Sequence, residues 1–116
     1  MTREIIFYET AAGSCPVEEF LESLSPKQAQ KTTWVLRLIE ELPTIPSSYL
    51  KKLVNTNEIW EVRVANGNNI FRLLGFFNGP KLIVLNHAFQ KKTQKTPPQA
   101  IKIAEARKKD YFERRK

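Results

Sequence analysis

Arg63, Arg72 and His87 carry the chemistry that stands out in this sequence, and three lysines, Lys91, Lys92 and Lys95, follow the histidine. A guanidinium holds a phosphate through paired hydrogen bonds. An imidazole, with a reference pKa of ~6.5, moves protons near neutral pH. Ammonium groups crowded into one short stretch repel one another unless an anion sits among them, and a polyanion is the natural candidate. Arg107 and Tyr111, on a later segment, add a guanidinium and a phenol. Each residue alone has a plain structural explanation. Arg63 or Arg72 can pair with Glu61 across strands, His87 can simply end a strand, Tyr111 can be helix packing, and the lysines can be a solvated linker. Several cations on one partly apolar face are harder to explain singly, because Arg is rarely buried without an anion.

The elements that must position these groups can be read from punctuation and periodicity. Residues 5–8 form a short strand candidate. Pro16 and then Ser25-Pro26 are two helix starts, and Pro43 is a stop, so a helical hairpin occupies roughly 16–42. After a proline- and serine-containing loop come strand candidates beginning at Leu50, then 58–64, 70–77 and 81–87. Asn66-Gly67 and Asn78-Gly79 punctuate the last three, as tight turns of an antiparallel meander do. Loops of two or four residues put Trp60, Val62, Val64, Phe71, Leu73, Phe77, Leu82 and Val84 on the face under the hairpin. The opposite face takes Glu61, Arg63, Arg72 and His87, with Ile59, Leu74, Phe76, Ile83 and Leu85. A three-residue loop would break this assignment. Pro97-Pro98 opens a last helix, to about 115, whose stripe of Ala100, Ile101, Ile103, Ala104, Arg107, Tyr111 and Phe112 can cover that second face. The expected class is α+β: strand, helical hairpin, antiparallel meander, terminal helix, in one domain over 1–116.

Composition narrows the function. A hydrophobic content of 41% and a charged content of 27% describe a globular chain with enough length for one core. No apolar run approaches the ~20 residues of a membrane span, and the first residues lack a signal-peptide layout. The single cysteine, Cys15, excludes an internal disulfide and a thiolate zinc cluster; a reducing, cytoplasmic setting is expected. The net charge of +7 is uneven: residues 81–116 hold 11 Lys and Arg against 3 Asp and Glu. That asymmetry favours an acidic partner. There is no glycine-rich phosphate loop and no metal-ligand cluster. The few carboxylates in the basic half argue against a metal-dependent nuclease.

Three runs then resemble a known family: Glu58-Ile59-Trp60-Glu61-Val62-Arg63-Val64, Asn69-Ile70-Phe71-Arg72-Leu73-Leu74, and Asn86-His87-Ala88-Phe89-Gln90-Lys91-Lys92-Thr93-Gln94-Lys95-Thr96-Pro97. They resemble the HigB-like, phage-derived branch of the RelE/ParE toxins, over about residues 4–112. The resemblance implies a toxin of a type II toxin–antitoxin pair that cuts mRNA on the ribosome without metal or other cofactor and is neutralised by a helix-turn-helix antitoxin. The matching positions are Arg63, Arg72, His87, Lys91 and Lys92, with Arg107 and Tyr111 on the last helix. Phe71 and Gly75 depart from the family pattern. The chemistry expected is attack of a ribose 2′-hydroxyl on its own phosphate. Arg63 and Arg72 would hold the charge, His87 would act as acid or base, and Tyr111 or a lysine, Lys92 foremost, would fill the remaining proton role. Lys91, Lys95 and Arg107 would bind RNA. The alternatives are a ParE-like protein acting on DNA gyrase, or a degenerate toxin that serves only as an antitoxin partner.

Overall fold

Each helix opens on a proline at its first position, where the missing N–H is no loss. In the computed structural model, which describes residues 2–92 and 95–115, the order is β1 (Glu4–Phe7), α1 (Pro16–Glu22), α2 (Pro26–Glu41), β2 (Leu50–Lys52), β3 (Trp60–Asn66), β4 (Asn69–Asn78), β5 (Leu82–Gln90) and α3 (Pro98–Glu113). Ser25 and Gln28 satisfy each other's backbone N–H at the start of α2 in a capping box. Cys15 precedes α1 without a side-chain cap bond and is half-buried.

The strands form one mixed sheet in the order β1-β5-β4-β3-β2. β1 runs parallel to β5, and every other pair is antiparallel. The fold is therefore α+β, with the expected element order. The hairpin α1–α2 packs its Val17, Val35, Leu36 and Ile39 on one sheet face. α3 covers the other face with Ala100, Ala104 and Tyr111.

The expected face assignment fails in β5 for a countable reason. The β3–β4 turn has two residues, Asn66 pairing with Asn69, and Gly67 supplies the positive φ of 61°. The β4–β5 turn has three, because Asn78 pairs with Leu82. One extra residue turns every following side chain over. Ile83 and Leu85 therefore lie under the hairpin, and Leu82 and Val84 join Phe76, Tyr8 and Tyr111 beneath α3. A second irregularity follows: Gly75 pairs with Leu85 and Leu74 with His87, which leaves Asn86 as a bulge. The bulge reverses parity again, so His87 returns to the face expected for it.

Gly75 is the residue that permits this close passage. A Cβ there would lie 2.1 Å from the Val84 carbonyl oxygen. β5 also runs further than the pattern suggests, to Gln90. The lysine-rich connector is thus only residues 91–97, of which Thr93 and Gln94 lie outside the described residues.

Candidate active site

Two rows of side chains cross the α3 side of the sheet. One is Arg63, Arg72 and Phe89; the next is Glu61, Leu74 and His87. Glu61 is the hub. It is 1% exposed, yet ionisable. Arg63 Nε donates to Glu61 Oε1 at 3.1 Å, and Arg72 Nε lies 3.4 Å from the same oxygen. The Thr96 hydroxyl donates to Glu61 Oε2 through a short hydrogen bond, tying the connector to the sheet. The plain explanation, arginines paired with Glu61, is thus part of the arrangement. It does not use up the donors. Arg72 Nε is buried, and its approach to Glu61 is not a hydrogen bond, so that N–H has no partner among the described residues.

Lys91 adds a third cation. Its backbone N–H extends the β4 ladder by bonding Ile70 O at 2.7 Å. Burial lowers the Lys91 pKa, Arg72 and Arg63 lower it further, and Glu61 opposes them. Burial also lowers that of Arg72, with Glu61 opposing and Arg63 adding to the shift. The electrostatic meaning is simple. Three cations share one carboxylate, and an added anion would relieve them.

His87 belongs to a second polar group. Burial lowers its pKa, and Arg107 lowers it further. Arg107 Nη1 donates to Asn86 O at 2.7 Å and lies 3.5 Å from His87 Nδ1. A guanidinium can only donate, so a bond at this contact requires Nδ1 to accept, as it does in the neutral tautomer with its proton on Nε2. The ring stacks on Phe89 at 5.6 Å. Leu74 and Phe89 stand between the imidazole and the arginines. From strand spacing, the His87 backbone is about 8 Å from that of Arg72.

Tyr111 is not brought to these residues. It is 4% exposed, packs on Phe76 at 5.2 Å, and its hydroxyl accepts from Asn78 Nδ2 at 3.2 Å. Asn78 is six residues from Arg72 along β4, roughly 20 Å. The reason is the course of α3, which leaves the connector near Glu61 and ends over the far end of the sheet. Lys92 and Lys95 are exposed on the connector.

Several contributors were not singled out from sequence. Thr96 and the bulge residue Asn86, whose Nδ2 donates to Ala104 O at 3.0 Å, lie in the run that resembles the family, but nothing in that run gives their individual roles. A groove of about 400 Å³ beside Arg63 and Arg72 is lined also by Lys31, Ser48 and Tyr49, from α2 and the segment before β2. Among the described residues no three His, Cys, Asp or Glu side chains gather as a metal site requires, and no helix is long and apolar enough to cross a membrane.

The sequence profile of a family described as phage derived protein Gp49-like (DUF891) matches residues 19–109. No curated protein matches the chain. The matched span contains Glu61, Arg63, Arg72, His87, Lys91 and Arg107, and stops short of Tyr111.

Proposed function

Since the chain belongs to the phage-derived Gp49-like family, we propose that it is a toxin of a type II toxin–antitoxin pair, built on a RelE-like fold, that cuts mRNA on the ribosome. What supports this reading above all is one observation: Arg63, Arg72 and Lys91 crowd one face around a single buried carboxylate. Such an arrangement suits a phosphate carrying extra negative charge.

In the reaction, the ribose 2′-oxygen bonds to phosphorus as its proton leaves, and the bond from phosphorus to the 5′-oxygen breaks as that oxygen gains a proton. The products are a 2′,3′-cyclic phosphate and a 5′-hydroxyl. Arg63 and Arg72 hold the non-bridging oxygens. Lys91 suits the role of base, because its lowered pKa leaves more of the amine neutral. His87, when protonated, is a strong acid for the 5′-oxygen, since its pKa is also lowered. Tyr111 has no role in this scheme. The ribosome presents the substrate in the geometry that attack needs, and a helix-turn-helix antitoxin is the expected inhibitor.

Induction in cells tests this directly. Growth should stop, and mapped RNA ends should fall inside translated codons and carry 5′-hydroxyls. Arrest with intact mRNA and gyrase–DNA adducts would overturn the reading in favour of the gyrase alternative.

A further inference from the structure

The outer side of α2 carries a feature that the cleavage scheme does not use. Trp34 is 48% exposed beside the fully buried Val35. One exposed apolar side chain needs no explanation by itself. This one has organised company. Lys31 Nζ lies 5.2 Å from its ring centroid, and Tyr49 meets it edge to face at 6.1 Å. Lys31 and Tyr49 also line the groove that leads to Arg63 and Arg72. On the other flank of Trp34 a shallow depression of about 350 Å³ is lined by Gln30, Thr33 and Arg37. Neither hollow has a carboxylate among its lining residues.

The sheet topology explains why this track is open. β2 is only three residues long, and its last pairing toward the hairpin turn is Leu50 with Val62. Beyond the Arg63 N–H bond to Tyr49 O, β3 has no strand beside it on that edge among the described residues. The groove therefore passes around the edge, from the α2 side to the arginines. An open edge also suits an added peptide strand. The cations and the exposed indole favour another occupant. A single-stranded nucleic acid tracks its backbone along positive charge and stacks its bases on aromatic rings.

We propose that Trp34 and Tyr49, flanked by Lys31 and Arg37, form a stacking ledge that holds single-stranded RNA next to the segment bound by Arg63 and Arg72. The ledge rests on the RNA-directed reading above, but its test does not depend on cleavage. The full chain with Trp60→Phe keeps Trp34 as its one indole, since the sequence has two tryptophans. It is titrated with a 2′-O-methyl oligoribonucleotide, which lacks the attacking hydroxyl. The single strand should quench Trp34 fluorescence, and a duplex of the same sequence should not. In the otherwise native chain, Trp34→Ala should weaken oligonucleotide binding about tenfold, the range of one lost base–aromatic stack, and Trp34→Phe should recover most of it. Equal quenching by duplex, or Trp34→Ala binding within about twofold of native, overturns the ledge. So does a Trp34→Ala chain that loses its antitoxin yet binds RNA normally. A native chain that quenches and binds as expected but leaves mRNA intact in cells upholds the ledge and removes the nuclease reading.

Discussion

Gly75→Ala adds one methyl group at the most crowded point between β4 and β5. The new Cβ would sit 2.1 Å from Val84 O, 2.8 Å from Leu85 Cα and 2.9 Å from the Val84 carbonyl carbon. An ordinary contact begins near 3.4 Å, so the deficit is 3.4 − 2.1, or 1.3 Å. All three atoms are backbone and cannot swing away. β5 itself is held on both sides: Leu85 is buried in the hairpin core and Val84 beneath α3. Alanine does restrict the unfolded chain, which favours folding by about 0.4–1 kcal/mol. Overpacking a rigid site costs about 1–3 kcal/mol and sometimes more. A clash against main chain belongs at the upper end, so a net loss of about 2–3 kcal/mol is expected. With a urea slope of about 1.5 kcal/mol/M, the midpoint falls by about 1.3–2 M. Urea unfolding followed by circular dichroism measures it. Faster amide exchange at Asn86 and His87 should accompany the loss, because the bulge starts at this pair. An unchanged or higher midpoint would mean that β5 does not pass where the pairing puts it.

Glu61→Gln removes the charge that two arginines share, and breaking a buried pair costs about 3–5 kcal/mol. The melting temperature should fall by roughly 10 °C or more and recover in part with added sulfate; a shift under about 2 °C would contradict the hub. Arg72→Ala should keep its circular dichroism spectrum and abolish growth arrest on induction. Lys91→Gln should slow cleavage by about 10²-fold or more, whereas Lys92→Gln should change it much less, as single-turnover rates on programmed ribosomes would show. His87 is the sole histidine, and its folded pKa lies below the unfolded value of 6.5. Between those two values the unfolded chain binds more protons, so the stability His87 contributes is complete above about 6.5 and is lost as pH falls through the folded pKa. Denaturant titrations from pH 7.5 downward should show that decline, and His87→Gln should flatten it.

Sequence carried the elements because prolines, Asn-Gly pairs and hydrophobic spacing are local signals. It carried the shared face of Glu61, Arg63 and Arg72 because they sit on one two-residue hairpin, where parity is secure. It lost parity at the Gly79-Pro80-Lys81 turn, since loop length there depends on which residues pair and not on turn composition. His87 reached its expected face only because the Asn86 bulge undid that slip. The position of Tyr111 over the far end of the sheet is not legible for a different reason. Periodicity gives the side of a helix, but how far along the sheet each turn lands depends on where the connector releases it. The tie from Thr96 to Glu61 was illegible too, because it joins residues 35 positions apart across the connector.

The parallel pairing of β1 with β5 has a consequence for how the chain comes into being. Glu4 pairs with Leu82, 78 positions later, so β1 waits for β5 before it gains a neighbour in the sheet. Such long-range closure is slow to form, and domains emerge from their amino end at about 5–20 residues per second. A nascent chain with both arginines already outside the exit tunnel therefore still lacks the strand that joins the halves, the amine beside those arginines and the threonine latch on the carboxylate. The cluster around Glu61 is therefore complete only after β5 and the connector, both later in the chain than the arginines, have emerged.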